Sequence, residues 1–222
     1  MKHLTLVIPA KNEKESLPKV LEELEKFNIK KIVVLEKSDI ETINSIKDFE
    51  CEYVFQNESG YGAALIQGIN EVKTKYFSIF NADGSFNPNE LPKMYEMLEN
   101  NVAKVIFASR YEKNCGSDDD TFITYIGNFF FTKLGNILFG LKITDILYTY
   151  VVGVTEVFKD LNIQSKDFSF CIELPIKAHK KKYNISTSKS FERARIGGKK
   201  KVNAFKDGFL ILSAMLRLFF NK

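Results

Sequence analysis

The sequence predicts an α/β fold in which a mostly parallel sheet carries helices on both faces. Two observations support this prediction: short apolar runs alternate with helical patterns over the first half of the chain, and each apolar run is followed by polar residues. Such alternation is typical of parallel sheets with right-handed crossovers. The length of 222 residues fits one large domain. We therefore expect a single domain with two halves, residues 1–110 and 111–222.

The elements of the first half are predicted by periodicity. The apolar runs expected to form strands are Leu4–Ile8, Lys31–Leu35, Glu52–Phe55, Tyr76–Phe80 and Val102–Ala108. The helical patterns between them are Glu13–Phe27, Ile40–Ile46, Ala63–Val72 and Pro92–Leu98. Asn12 stands where an N-cap is expected, with acids in the turn that follows.

The alternation ends after Arg110. The loop with Asp118-Asp119-Asp120 is expected to be flexible and solvated. Further elements are expected in the order helix, strand, helix, strand, helix: Phe122–Leu141, a strand near Val151–Thr155, a helix around Cys171–Ala178, a strand near Asn184–Thr187 and a terminal helix that includes Phe209–Phe220.

Two apolar segments raise the question of membrane contact. Phe122–Leu141 is interrupted by Asn128, Lys133 and Asn136, and Phe209–Phe220 is shorter than the ~20 residues that cross a bilayer. Packing against the core and attachment to a membrane surface are equally compatible with both segments.

Charge and cysteine content indicate which ligands and which cellular compartment suit the protein. The net charge of +4 is mild, but cations cluster between Arg193 and Lys201, and such a patch attracts phosphate. The three cysteines are widely spaced and odd in number, which favours a reducing compartment. The first strand begins soon after Met1, too early for a signal peptide. We expect a cytoplasmic protein.

The loop Asn81-Ala82-Asp83 carries the clearest chemical signal. It follows the fourth predicted strand, and ligands bind at the carboxyl ends of strands in such sheets. Mg²⁺ and Mn²⁺ prefer oxygen ligands, which Asp83 and the Ser85 hydroxyl supply. A leaving diphosphate needs such a cation or a fixed positive charge. The same composition is also common in turns, which leaves both interpretations open.

Other segments are individually weaker. The glycines and cations of 193–201 suit phosphate, although a solvated basic loop has the same composition. Asp145 is compatible with orienting an acceptor or with capping a turn. Gly60-Tyr61-Gly62 lacks the spacing of dinucleotide-binding loops, which argues against a dehydrogenase.

Taken in order, these segments resemble the family 2 glycosyltransferases of GT-A fold, in particular dolichol-phosphate mannosyltransferases and other polyprenyl-phosphate glycosyltransferases. The matching segments are Val7-Ile8-Pro9-Ala10-Lys11-Asn12-Glu13, Asn57-x-x-Gly60-Tyr61-Gly62-Ala63-Ala64, Asn81-Ala82-Asp83, Ala108-Ser109-Arg110, Thr144-Asp145, and Arg195-x-x-Gly198-x-x-Lys201 before Asp207-Gly208. Asn81 stands where the family has the first acid of its D-x-D motif, and Ser85 where it usually has Gln.

The resemblance implies a Rossmann-like GT-A sheet with C-terminal acceptor-side helices, and an inverting, metal-dependent sugar transfer. The donor would be a GDP-mannose-like or UDP-sugar, the acceptor a polyprenyl or dolichyl phosphate at the cytoplasmic membrane face, and the cofactor Mg²⁺ or Mn²⁺. No nucleic acid is expected. The implied residues around the donor are Pro9, Lys11, Glu13, Val34 and Glu36 at the base and ribose, and Asn81, Ala82 and Asp83 at the diphosphate. Arg110, Arg195 and Lys201 would bind the diphosphate or the acceptor phosphate. Asp83 and Ser85 would be on the metal side, and Asp83 and Asp145 would be catalytic.

Two alternatives to this function stay open. One is transfer to a saccharide in cell-envelope synthesis, which requires a general base for the acceptor hydroxyl. The other is a catalytically weak or inactive nucleotide-sugar-binding protein, which the departures at Asn81 and Ser85 favour.

Overall fold

The computed structural model describes residues 1–197 and 203–220. Its main sheet has seven strands in the order β3-β2-β1-β4-β7-β5-β8, and a small second sheet pairs β6 with β9. The strands are β1 Leu4–Ala10, β2 Lys30–Leu35, β3 Glu52–Phe55, β4 Tyr76–Ile79, β5 Val105–Ser109, β6 Gly116–Ser117, β7 Val151–Val154, β8 Ile185–Lys189 and β9 Phe191–Glu192. The α-helices are α1 Leu17–Glu25, α2 Ile40–Ser45, α3 Tyr61–Asn70, α4 Leu91–Glu99, α5 Phe122–Phe139, α6 Thr155–Leu161, α7 Phe170–Lys180 and α8 Ala204–Phe220.

The mostly parallel α/β sheet is confirmed, with one strand reversed. Strands β3, β2, β1 and β4 run parallel, and β8 runs parallel to β5. Strand β7 enters antiparallel between β4 and β5. Because β7 is reversed, its first residue, Val151, lies opposite Ile79 at the end of β4. The residues that precede β7 therefore reach the same edge of the sheet as the loop after β4.

Apolar side chains fill both faces of the sheet. On one face, residues of α1 and α4 pack on the strands; on the other, residues of α3, α6 and α7 do so. A third cluster joins α5, α7 and α8 around Phe131, Ile172 and Met215. The helices on both faces that the alternation predicts are therefore present, and the second half of the chain contributes to the same sheet.

The first helix begins later than its sequence indicates. Its N-cap is Ser16 and its first turn contains Pro18, which fits because a helix start needs no amide donor there. Asn12, the expected cap, has a left-handed φ of 53° and its amide donates to Asp39. The prediction at Asn12 is wrong because the polar segment 11–16 forms a loop at the sheet edge before the helix starts.

Helices α5 and α8 pack on each other and leave large apolar side chains exposed. The exposed side chains on α5 are Phe122, Ile123, Tyr125, Ile126, Phe129, Phe130 and Ile137; those on α8 are Phe205, Phe209, Leu216, Phe219 and Phe220. Within residues 1–197 and 203–220, no helix is long and apolar enough to cross a bilayer.

Helix α3 approaches the sheet through a glycine, and this contact gives a testable expectation. A Cβ at Gly68 would lie 2.5 Å from a Val7 methyl and 2.7 Å from a Val34 methyl. Gly68→Ala should therefore lower the free energy of unfolding by about 1–3 kcal/mol, which urea denaturation measures. The control is Gly127→Ala in α5, where nothing lies within 4 Å of the added Cβ. That change should stabilise the protein by up to about 1 kcal/mol, and equal effects at both positions would contradict the packing argument.

Candidate active site

The main cavity of the described structure lies at the carboxyl edge of the sheet and has a volume of about 530 Å³. Residues after β1, β2, β4 and β5 line it, together with the segment Leu147–Thr149 before β7. The sequence predicts polar residues after five strands, and residues after all five line this cavity. Those after β3 are Gln56 and Ser59–Tyr61.

Asp83 is held in a fixed orientation by its own loop. Its Oδ1 accepts hydrogen bonds from the Ser85 amide at 3.0 Å and from the Ser85 hydroxyl at 2.8 Å. Gly84 between them has a φ of 83°, which favours glycine. Ser85 is 1% exposed, and its hydroxyl proton is committed to Asp83. Ser85 therefore orients the Asp83 carboxylate through Oδ1. The other oxygen, Oδ2, faces Arg195.

Arg195 faces this carboxylate from a neighbouring loop. Its Nη1 lies 3.8 Å from Oδ2 of Asp83, while Nε and Nη2 donate to the two carboxylate oxygens of Asp119 at 2.9 and 2.7 Å. The hydrogen bonds to Asp119 raise the pKa of Arg195 above its ordinary value. Lys201, the other cation expected from this segment, lies outside the described residues.

Arg110 forms the second charged centre of the cavity. Its Nε and Nη2 donate to the two oxygens of Asp145 at 2.7 and 3.0 Å, and its Nη1 donates to Glu192 at 2.8 Å. Burial lowers the pKa of Arg110, but the carboxylates of Asp145 and Glu192 outweigh burial and raise it well above its ordinary value. Asp120 lies 3.5 Å from the same guanidinium.

Asp145 lies behind Arg110 instead of at the cavity surface. It is 1% exposed and is not among the described residues that line the cavity. Its oxygens also accept hydrogen bonds from the Arg110 amide at 3.1 Å and from Asn128 at 2.6 Å. With its oxygens turned to these groups, Asp145 positions Arg110, and the structure does not place it against an acceptor.

The residues expected around a base and ribose divide into two groups. Pro9, Lys11, Glu13 and Glu36 line the cavity, with Lys11 paired to Glu36 at 2.8 Å. The Glu13 carboxylate accepts a hydrogen bond from the Ser16 hydroxyl at 2.6 Å. Val34 is not part of the cavity wall formed by the described residues: it is fully buried in the core and packs against the Gly68 position. The expectation for Val34 is therefore not supported by its location.

Asn81 and Ala82 border the cavity beside Asp83. The Asn81 side-chain oxygen accepts a hydrogen bond from the Tyr61 hydroxyl at 3.3 Å, and that hydroxyl also pairs with Thr149 at 2.7 Å. Ala82 is 2% exposed and belongs to the apolar cluster under the loop. The Asn81 side-chain oxygen is thus engaged by Tyr61.

The glycines around Tyr61 serve the packing of a loop. A Cβ at Gly60 would lie 2.2 Å from the Lys166 carbonyl oxygen, and a Cβ at Gly62 would lie 2.2 Å from that of Ser165. The loop that approaches them is held by Glu173, which accepts from the Ser165 amide at 2.6 Å. Both glycines are therefore required by the close approach of the 165–167 backbone.

The aspartates of 118–120 do not form the solvated loop expected from sequence. The pairing of β6 with β9 fixes the segment, and the amides of Asp119 and Asp120 both donate to the Ser117 hydroxyl oxygen, at 3.1 and 2.9 Å. Asp120 accepts from the Tyr111 and Thr124 hydroxyls. Asp119 and Asp120 line the cavity, whereas Asp118 is exposed. The expectation is wrong because the arginines opposite supply counter-charges that sequence spacing does not reveal.

Charged side chains of both signs line the described part of the cavity wall. Among the described lining residues, three are cationic and six are acidic: Lys11, Arg110 and Arg195 against Glu13, Glu36, Asp83, Asp119, Asp120 and Glu192. These described carboxylates repel a ligand with several negative charges, and a cation that arrives with the ligand would offset that repulsion.

The donor set around Asp83 fits a divalent cation that arrives with a diphosphate. Within the described residues, no group of three His, Cys, Asp or Glu side chains is placed to enclose a metal ion. Mg²⁺ is usually held by one or two carboxylates and takes its other ligands from phosphate and water. Oδ1 of Asp83 is engaged by Ser85, so Oδ2, which faces Arg195 at 3.8 Å, is the oxygen that would serve as such a ligand.

Two curated proteins are similar to this chain. The hexosyltransferase Agl6 of low-salt glycan biosynthesis from Haloferax volcanii is 24% identical over 220 residues, 96% of this chain and 53% of the relative. A dolichol-phosphate mannosyltransferase from Pyrococcus furiosus is 25% identical over 119 residues, 50% of this chain and 34% of the relative. The chain thus spans about half the length of the first and a third of the second.

The fold also matches a solved structure. Glucosyl-3-phosphoglycerate synthase from Mycobacterium tuberculosis, in complex with Mn²⁺, UDP and glucosyl-3-phosphoglycerate, superposes with a TM-score of 0.76 at 13% identity, covering 97% of this chain and 79% of that one. The likeness shows a shared GT-A-like fold. The profile of glycosyl transferase family 2 matches residues 5–161, which span the sheet from β1 to β7 and most of the cavity wall. This chain belongs to glycosyl transferase family 2.

Proposed function

We propose that this protein transfers a hexosyl group from a nucleoside diphosphate sugar to an acceptor bound in the same cavity. The observation that carries the proposal is the oriented Asp83 at the carboxyl end of β4, facing a cavity to which β1, β2 and β5 also contribute. Family membership and the UDP and Mn²⁺ complex of the solved neighbour support it.

The donor would lie between the β1 and β4 ends. Lys11 and Glu36 border the part assigned by resemblance to the base and ribose, and Asn81 to Asp83 border the diphosphate. Asp83 would hold Mg²⁺ or Mn²⁺ together with the diphosphate oxygens, and such a cation offsets the charge that develops on the leaving diphosphate. Asp83 contributes orientation, because its carboxylate is fixed before the donor arrives.

The first candidate acceptor is a phosphate with a long apolar chain, such as a polyprenyl phosphate. Arg110 lines the cavity, and helix α5 runs away from it with Thr124 and Asn128 in the cavity wall. The same helix exposes a row of large apolar side chains, of which Phe122 is 78% and Phe129 57% exposed. A phosphate near Arg110 and a chain along α5 would use both features.

The exposed surface of α5 and α8 also suits peripheral contact with a cytoplasmic membrane face. The exposed charges on these two helices are cations, Lys133, Lys206 and Arg217, whereas Asp207 is 8% exposed and accepts from the Asn203 amide. Apolar side chains with flanking cations are typical of helices that lie on anionic membranes.

A saccharide acceptor is the second candidate, and the carboxylates around Arg110 favour it. Asp120 and Glu192 line the cavity, and burial raises the pKa of Glu192 above its ordinary value. A carboxylate with a raised pKa is a better general base for a hydroxyl acceptor. A phosphate acceptor is already anionic and needs no such base.

The experiment that tests the function is transfer of labelled sugar from GDP-mannose and from a panel of UDP-sugars, with Mg²⁺ or Mn²⁺. Polyprenyl phosphates in vesicles and free saccharides are offered as separate acceptors. Product only on the lipid supports the first candidate, and product only on saccharides supports the second. Absence of transfer from every donor to every acceptor would contradict the proposed activity.

The role of α5 has its own expected result. Phe122→Ser combined with Phe129→Ser should raise the KM for a long-chain polyprenyl phosphate by about tenfold or more, since each buried aromatic side chain stabilises binding by about 1.5–3 kcal/mol. The KM for a short, water-soluble prenyl phosphate should stay unchanged. Ile40→Ser, at a 57% exposed position on α2, is the matched control. If Ile40→Ser raised this KM as much as the double variant does, or if the double variant left it unchanged, a path of the lipid chain along α5 would be contradicted.

A further inference from the structure

Arg195 lies between two carboxylates at the place where the proposed function puts a diphosphate. Its Nε and Nη2 donate to the two carboxylate oxygens of Asp119 at 2.9 and 2.7 Å. Its Nη1 lies 3.8 Å from Oδ2 of Asp83. A bidentate arginine–carboxylate pair is geometrically specific and stronger than a single neutral hydrogen bond. Both side chains are mostly shielded, with exposed fractions of 23% for Arg195 and 14% for Asp119.

The backbone around Arg195 is held without help from Asp119. The Arg193 amide donates to the Ser85 carbonyl and the Ile196 amide to the Asp83 carbonyl, both at 2.8 Å. The Arg193 guanidinium donates to Glu23 at 3.1 and 2.8 Å and to the Phe86 carbonyl at 2.8 Å. Among the described contacts, Asp119 adds charge and direction to Arg195, while these other bonds hold the backbone on both sides of it.

Asp119 is itself a fixed group. Its amide donates to the Ser117 hydroxyl oxygen at 3.1 Å, and the preceding Asp118 amide donates to the Glu192 carbonyl at 2.9 Å. The β6–β9 pairing anchors this segment. The contact with Arg195 thus joins two independently anchored loops across the cavity.

We propose that Asp119 competes with the donor diphosphate for Arg195 and thereby makes nucleotide binding depend on a divalent cation. A diphosphate that arrives alone has to draw Arg195 away from Asp119, and it meets Asp83 and Asp119 as like charges. A diphosphate that carries a divalent cation has a smaller negative charge and is attracted to Asp83. Asp119 is in this sense a specificity-determining residue, and its role rests on the proposed function.

Calorimetric titration of UDP and GDP tests this role in the full chain, once in EDTA and once in Mg²⁺. For the nucleotide that the wild-type chain binds, Asp119→Asn should tighten binding in EDTA by about tenfold, because one like charge is removed and Arg195 is released. The ratio of the dissociation constants in EDTA and Mg²⁺ should shrink accordingly. Asp119→Glu, which keeps the charge, should restore the wild-type ratio.

The matched control is Asp118→Asn, which removes the same charge from the exposed neighbouring position and should change both constants by less than about twofold. Weaker binding of Asp119→Asn under both conditions would show a structural role and overturn the inference. Weaker binding in Mg²⁺ alone would make Asp119 a metal ligand and also overturn it. If the wild-type chain binds neither nucleotide in Mg²⁺, the proposed function fails, and the role of Asp119 fails with it.

Discussion

Replacing Asp83 with asparagine is expected to lower kcat for sugar transfer by about 10²–10³-fold or more, the range found when a preorganised charge-stabilising group is removed from an active site. The variant keeps an oxygen that can accept the Ser85 amide and hydroxyl, so the loop geometry is retained. It loses the charge that would hold a divalent cation with the diphosphate. Steady-state transfer with saturating donor, acceptor and Mn²⁺ measures the loss.

The comparison that sharpens this result is Ser85→Ala. That change removes one hydrogen bond to Asp83 and leaves the carboxylate charge in place. A loss of about tenfold is expected, because orientation is weakened while the charge is kept. Thermal unfolding of the Asp83 variant should stay close to wild type. Transfer by Asp83→Asn at more than a tenth of the wild-type rate would remove Asp83 from the mechanism.

Replacing Asp145 with asparagine is expected to have the largest effect on stability, about 3–5 kcal/mol, the usual cost of breaking one side of a buried ion pair. Arg110 would lose the charge of its bidentate partner while it stays buried with an exposed side-chain fraction of 8%. The amide NH₂ of the new Asn would also face the guanidinium or Asn128, both of which are donors in the present network. Urea denaturation, with the midpoint and slope fitted together, measures the loss.

Asp160→Asn is the control for this change. Asp160 also pairs with a cation, Lys181 at 2.9 Å, but both side chains are close to half exposed. Exposed pairs of this kind contribute little to stability, so no measurable change is expected. An Asp145 variant as stable as the Asp160 variant would show that the Arg110 network is not a buried ion pair in solution.

Sequence periodicity predicted the sheet well because each strand of the first half is an apolar run with a helical pattern after it. It did not predict the direction of β7. The run Val151–Val154 is apolar on both faces in either direction, and only its pairing with β4 and β5 makes it antiparallel. The segment Leu147–Thr149 was therefore missed as part of the cavity wall.

The candidate site was predicted in part. Asp83, Arg110 and Arg195 were singled out from their positions after strands or in a basic loop, and all three line the cavity. Asp119 and Asp120 were missed because a run of three acids has the composition of a solvated loop. Buried Arg110 and mostly shielded Arg195 need counter-charges, and this need becomes visible only when the folded chain brings the distant loops together.

The reversed strand β7 has a consequence for how the chain acquires its structure. Strand β5 has no direct pairing with β4; its neighbours are β7 and β8, which are about 45 and 80 residues further along the chain. Residues 1–110 therefore lack the strand that joins β5 to the rest of the sheet until Val154 has been synthesised. Pairings between distant segments slow folding, because loop closure costs entropy before the contacts form. During translation, the β4 edge stays open to other partners until β7 arrives.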